Sequence, residues 1–447
     1  MGAAARLYTM TIGDRQIAAP VRGDILNPAD GPLVGGSPTS TASRLENVVG
    51  AAAATQPPFA ARSRAERRAA CEGIARILSE DAREPAAFVT REERKPLTGL
   101  GWEFELAACV ARALCAASLD LPPKVIDASP DGRIERYREP IGVLGSMVPW
   151  KRPLLIARHI GPVLCIGNTV AMTPSPVTTP GTLPRVERLQ EALHPCLLNA
   201  VAGDDALGAQ LSRHPHSGQV VSAGSAAAGR KVMASAVSTL KQFTLEFGGN
   251  DPGIALADAD VGQTVERVFR HACINSGRNS AALQRLSVHE SLHERYCAVL
   301  HEHARAVPTG AGMPEEARLG PWQNEPQLET VSELVENAKR QGGKLCHGGE
   351  RSKGRGFLYC ITLVDAVSDG VRPMDEMPFA LRPPIVRCGA LDEPVLLANA
   401  SGYGLAARVP RSGGGCGTRV HRRARAADTF PQASSCRGRP RSWGCSR

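Results

Sequence analysis

Residues 141–148 read Ile-Gly-Val-Leu-Gly-Ser-Met-Val, an apolar run of strand length. Four more such runs follow: NTVAM at 168–172, LLNAV at 197–201, QVVSA at 219–223 and GIAL at 253–256. Helical stretches lie between them. Strand–helix alternation of this kind predicts a doubly wound, largely parallel sheet. Upstream, VID at 125–127 and RIERYR at 133–138 flank Pro130-Asp131-Gly132. Asp-Gly supports the positive φ angles of a tight hairpin turn. Before the hairpin, Ala70, Ile74, Ile77 and Leu78 recur at helical spacing over 63–80. Leu100, Phe104, Ala107, Ala111 and Leu114 do the same over 99–115. Residues 1–35 read as short strands and turns, with NPADG at 27–31 as a turn.

Downstream, a second α/β portion spans about 250–410. It holds amphipathic helices near 291–306 and 327–341, the latter stopped by Gly342-Gly343. No internal repeat is visible. After Arg411 the apolar period ends. Residues 411–447 hold nine Arg, no Lys and one acid, Asp428, so they carry nearly all of the net charge of +9. A segment of this composition is expected to be a disordered tail. The folded part is nearly neutral, which argues against nucleic acid as a partner.

Hydrophobic residues make up 43% of the 447 and aromatics 4%, so Ala, Val and Leu carry the packing. No apolar run reaches the roughly 18 residues of a membrane span. The N-terminus lacks the apolar centre of a signal peptide, and a cytoplasmic location is expected. The thirteen Cys are scattered, with no C-x-x-C pair and no zinc spacing, and are expected to be free, mostly buried thiols.

Four stretches carry chemistry. At 219–231, QVVSAGSAAAGRK, a strand enters a Gly-containing turn and then an Ala-rich helix. Gly224 and Gly229 permit close backbone approach, and the helix N-terminus favours phosphate. A P-loop fits less well than a dinucleotide site, because Arg230 follows Gly229, Lys231 is displaced and the hydroxyl residue is missing. At 244–252, TLEFGGNDP, Glu246 is placed to act as a general base, or is a strand-end carboxylate facing solvent. At 275–286, NSGRNSAALQRL, a turn precedes Ser280. At 139–153, EPIGVLGSMVPWKRP, a strand ends in Pro-Trp-Lys, with Trp150 either core or a ligand cover.

Taken in order, these stretches resemble the aldehyde dehydrogenase superfamily from about residue 20 to 410. Supporting matches are NPADG, TREERKPL at 90–97, IGNTVAMTPSP at 166–176, VERLQEAL at 186–193, DEMPF at 375–379 and NASGYGLAA at 399–407. The resemblance implies two Rossmann-like doubly wound domains and an oligomerisation hairpin. An NAD(P)-binding domain would comprise 1–120 and 141–247, the hairpin 121–140, and a catalytic α/β domain 248–410. It also implies a homo-oligomer, NAD or NADP as cofactor and a small aldehyde as substrate. In such chemistry a Cys thiolate attacks the carbonyl, hydride leaves to the nicotinamide, and a Glu-activated water hydrolyses the thioester.

Residue by residue, the resemblance marks departures. The pattern N-S-G-Q-x-C-x-A stands here as N-S-G-R-N-S-A-A, so Ser280 occupies the nucleophile position. A serine hydroxyl is far less acidic than a thiol and needs a dedicated base. Cys273, seven residues upstream, falls where the pattern has an apolar core residue. Lys151 follows Pro-Trp where the family has an oxyanion-binding Asn. Thr173 replaces a ribose-bonding Lys, and Met377 a ribose-bonding Glu. Ser222-Ala223-Gly224-Ser225 resembles F-T-G-S. The retained positions are Glu246 as base, with Phe247 and Gly248 beside it, and Trp150, Gly224, Ser225, Gly229 and Phe379 as cofactor contacts. Weak cofactor binding and impaired aldehyde oxidation are expected. The alternative is a non-catalytic pseudoenzyme or scaffold, or a decayed gene product whose Arg-rich ending comes from a frameshift or altered exon.

Overall fold

The computed structural model describes residues 8–80, 83–93, 95–96, 107–112, 115, 123–129, 132–152, 156–310, 319–352, 356–365, 371–377, 383–409, 420 and 422–431. The chain forms two units by internal contact. Met1–Leu26, Leu33–Glu92 and Leu100–Glu246 make the first; Asn27–Pro32, Glu93–Gly99 and Phe247–Arg447 make the second.

The sheet of the first unit runs in the order Gln242–Glu246, Ser217–Ala223, Val143–Met147, Thr169–Thr173, Leu198–Ala200, Met10–Ile12, Arg15–Ile17. The first five strands are parallel, because a helix carries the chain back between each and the next in sequence: Ile156–Cys165, Thr179–Leu189, Asp205–Arg213 and Ala226–Ala236. Met10–Ile12 joins Leu198–Ala200 antiparallel. The chain builds outward from Val143–Met147 through Thr169–Thr173 to Leu198–Ala200. It then returns to the other side of Val143–Met147 and adds Ser217–Ala223 and Gln242–Glu246. The order therefore reverses between Val143–Met147 and Ser217–Ala223, which is where open α/β sheets place their ligands.

Helix Arg64–Glu80 buries Cys71, Ile74, Ala75, Ile77 and Leu78 on one stripe. Ile74, Ile77 and Leu78 join Leu144, Val170 and Met172 in one core. Full burial contributes about 1.5–3 kcal/mol for each large aliphatic side chain. Of the helix read over 99–115, residues 107–112 and 115 are described and helical. The hairpin pairs Lys124–Ser129 with Gly132–Arg136. Val125, Ile126, Ile134 and Tyr137 stay exposed there.

The second unit holds a five-stranded parallel sheet in the order Ile385–Cys388, Leu283–His289, Asp251–Ala255, Ala406–Val409, Asp428–Pro431. Asp260 caps helix Val261–Cys273 by accepting from the amide of Gln263. Asn324 caps Glu325–Arg340 through Gln327 in the same way. That helix is followed by Gly342 at φ +91°, a left-handed conformation suited to glycine.

Two expectations are corrected. Part of the segment 411–447 is ordered rather than a disordered tail. Val420 is fully buried against Ile254, Leu256 and Val409, and Asp428–Pro431 extends the sheet from Ala406–Val409. Asn399 donates to the carbonyl of Arg423 and accepts from the amide of Arg425. The segment has no apolar period of its own, but the open edge of Ala406–Val409 supplies it with backbone partners. The cysteines are not all free either. Cys115 and Cys165 form a disulfide, with Cα atoms 5.7 Å apart across a sequence separation of 50. Helix packing makes that meeting, and Cys spacing gives no sign of it.

Candidate active site

The strand ends of the first unit gather the retained residues of that unit. Met147 is in register with Thr173 and with Ser222, and Ala223 with Glu246. The four strands therefore finish at one edge, and the turns leaving them carry Trp150, Lys151, Gly224 and Ser225. The amide of Gly224 donates to the carbonyl of Glu246 at 3.0 Å. Ser225 caps helix Ala226–Ala236, its hydroxyl accepting from the amide of Ala228 at 3.1 Å. A Cβ added at Gly224 would meet only Ala228, at 3.9 Å, so this backbone lies uncovered. Uncovered backbone beside a helix N-terminus fits the phosphates of a dinucleotide. Gly229 lies buried inside the same helix.

Lys151 is 6% exposed. Burial pushes its ammonium down to about 8 and neighbouring Arg152 acts in the same direction, while the carboxylate of Glu246 opposes both. The two residues sense each other's charge, so Lys151 sits as a partly desolvated cation at the sheet edge. Thr173 is buried, and its hydroxyl donates to the carbonyl of Pro174 at 3.4 Å. It supplies no charged donor for a ribose. The residues present thus fit the phosphates of a nicotinamide dinucleotide and lack a charged ribose contact at 173.

In the second unit, Asn275, Ser276 and Gly277 take φ values of 54°, 54° and 77° in succession. A left-handed run through an Asn and a Ser is costly and persists only when well anchored. The anchors are dense. Ser276 Oγ accepts from the amide of Gly320, and Gln284 donates to the carbonyl of Gly277. Arg278 is 1% exposed and donates to the carbonyls of Glu93 and Pro321 at 2.9 and 3.1 Å. Burial lowers its pKa to about 10, with Glu93 opposing.

This turn delivers Ser280, whose carbonyl accepts from the amide of Gly249 at 2.8 Å. Its hydroxyl has no hydrogen-bond partner among the described residues. Cys273 packs on the apolar core instead, where burial raises its thiol pKa. Phe247 is half-buried. Met377 lies against Gly248 so closely that an added Cβ would overlap its sulfur. Phe379 lies outside the described residues.

The sequence profile of the aldehyde dehydrogenase family matches residues 18–429. The chain belongs to the aldehyde dehydrogenase family. A Pseudomonas protein named "Probable aldehyde dehydrogenase" is 32% identical over 402 residues, covering 89% of this chain and 81% of that protein. Lactaldehyde dehydrogenase from Escherichia coli superposes with a TM-score of 0.92 at 26% identity, over 95% of this chain and 90% of the other. A mutant of aldehyde dehydrogenase C from Pseudomonas syringae, solved with NAD+ and octanal, gives a TM-score of 0.91 at 27% identity, over 97% and 91%.

The family's Gly-Gly segment rests here on groups that sequence reading passed over. Asp251 is fully buried, pairs with Arg408 at 3.2 Å and accepts from the amide of Ala406. Burial pushes its carboxyl up to about 7, against the pull of Arg408. Arg285 donates to the carbonyls of Asn250, Leu397 and Ala398. The available signal was a charged Arg285 set among Leu283, Leu286 and Val288 of strand Leu283–His289, which implies buried partners. Among the described residues, no helix is long and apolar enough to cross a membrane.

Proposed function

We propose that this aldehyde dehydrogenase-family protein is impaired in aldehyde oxidation because its chemistry stops at Ser280. The observation that carries the reading is the state of that side chain: a hydroxyl in the nucleophile position with no base bonded to it among the described residues. An unassisted hydroxyl is almost wholly protonated at neutral pH, whereas a family thiol is readily ionised. Loss of a covalent nucleophile lowers turnover by several orders of magnitude in other enzymes.

In this reading Gly224, Ser225 and the start of helix Ala226–Ala236 would hold the phosphates of NAD or NADP, with Trp150 and Gly229 of the same unit as further contacts. The bound nicotinamide would supply a hydride acceptor. Thr173 and Met377 make that binding weak. Glu246 is the retained base, and Lys151 offers a positive charge where a carbonyl oxygen gains negative charge. The exposed apolar side chains of the hairpin support a role in self-association.

The test is NAD(P)+-dependent oxidation of an aldehyde panel by the purified protein, with Ser280→Cys in parallel and calorimetric cofactor titration. No turnover in the unmodified protein and a gain in Ser280→Cys are expected. Turnover by the unmodified protein would overturn the proposal. Neither turnover nor cofactor binding in either protein would favour the non-catalytic scaffold reading.

A further inference from the structure

The helices of the first unit bring Cys71, Cys115 and Cys165 together, their sulfur atoms all within 4.8 Å of one another and all three residues buried. Cys115 and Cys165 are joined, and Cys71 remains a thiol. Its sulfhydryl donates to the carbonyl of Gly161 at 2.7 Å. Burial raises its pKa to about 12, so it is protonated at neutral pH.

A cavity of about 410 Å³ adjoins this cluster, lined by Arg68, Cys71, Glu72, Arg76, Arg112 and Cys115. Three guanidinium groups face one carboxylate. Arg68 bonds Glu72 at 3.0 Å and Arg76 reaches Glu80 at 2.8 Å, while Arg112 is exposed. The lining therefore carries surplus positive charge, with sulfur in its wall. Aldehyde oxidation uses none of these groups.

We propose that this cavity is a thiol-exchange site for a small thiol bearing carboxylates. The guanidinium groups bind carboxylate as a fork. The electrophile is the disulfide. Cys115 lines the cavity and Cys165 does not, so Cys115 is the sulfur attacked. The incoming thiolate forms a bond to Sγ of Cys115, and the bond from Cys115 to Cys165 breaks. The electron pair leaves on the sulfur of Cys165, which takes a proton from water. One disulfide is consumed and one is made, so no outside oxidant or reductant enters. Attack by Cys165 on the mixed disulfide reverses the step and releases the ligand. Cys71 is a slower second resolving thiol, because it must first lose its proton from a buried position.

The full-length protein, isolated without reductant, is incubated with glutathione or with uncharged 2-mercaptoethanol at matched thiolate concentration. Adducts are mapped by mass spectrometry without reduction. A glutathione adduct on Cys115 is expected, forming roughly tenfold or more faster than the neutral one and slowing as salt rises. Changing Arg76→Ala and Arg112→Ala together is expected to abolish that preference with an unchanged circular dichroism spectrum, since Arg76 and Arg112 are exposed. Equal rates for the two thiols would overturn the proposal. So would adducts confined to other cysteines, a preference untouched by the arginine changes, or absence of the disulfide from the isolated protein.

Discussion

The backbone of Gly224 is bonded to that of Glu246: the amide of one donates to the carbonyl of the other at 3.0 Å. The turn at Gly224 and the strand end carrying the Glu246 carboxylate therefore leave the sheet together, and Glu246 is held by main chain independently of its side chain. Glu246→Gln should leave the fold intact. Placed in the Ser280→Cys background, it should permit one round of hydride release and block the following hydrolysis. Rapid-mixing absorbance would show a burst of reduced nicotinamide without steady turnover. Steady turnover at the rate of Ser280→Cys alone would remove Glu246 from the role of base.

Lys151 is a charge kept out of water. Its amine has a folded pKa of about 8 against an ordinary 10.5. Below pH 8 both the native and the unfolded chain carry the proton, and the native state bears the desolvation cost, on the order of 3 kcal/mol. Between about pH 8 and 10.5 the unfolded chain binds more protons than the native one, so stability rises with pH across that window. Lys151→Met should therefore be more stable than the parent at pH 6–7, and its advantage should shrink toward pH 10.5. Denaturant melts of both proteins across that range check this. A difference independent of pH would refute it.

Arg278 holds the left-handed Asn275–Gly277 run by donating to the carbonyls of Glu93 and Pro321. Arg278→Ala leaves those carbonyls buried and unpaired and should cost about 3 kcal/mol. Arg278→Gln keeps one donor and should cost less. Urea midpoints at constant slope report both. An alanine variant within about 0.5 kcal/mol of the parent would show that the turn stands without its arginine.

The buried position of Val420 and the pairing of Asp428–Pro431 make these residues part of the fold. Val420→Ala should destabilise by about 2 kcal/mol. Hydrogen exchange should show protection across Asp428–Pro431, which pairs with Ala406–Val409. Full exchange there, with no stability change in Val420→Ala, would restore the disordered reading.

Thr173 ends its strand in register with Met147 and offers no ammonium. Thr173→Lys would add a charge-assisted hydrogen bond to a ribose, worth about 1.5–3 kcal/mol. Calorimetry should show NAD(P)+ binding tightened roughly 10- to 100-fold. Unchanged affinity would mean that this edge does not receive the adenosine ribose.

The sequence alone determined the architecture and the identity of the changed residues. Strands read at 141–148, 168–172 and 197–201 appear as Val143–Met147, Thr169–Thr173 and Leu198–Ala200, and the helix read over 63–80 as Arg64–Glu80. Those signals are local: period, turn residues and caps are written within a few positions of one another. Ser280 for Cys and Thr173 for Lys are likewise legible in a motif without coordinates. Tertiary structure decided what depends on residues far apart. Arg278 meets the carbonyl of Glu93 across 185 positions, and Cys115 meets Cys165 across 50. The strand Asp428–Pro431 comes from a segment whose own composition reads as unstructured. It is ordered because a neighbouring sheet edge offers the hydrogen bonds, and a buried site the apolar contact, that its sequence cannot provide alone.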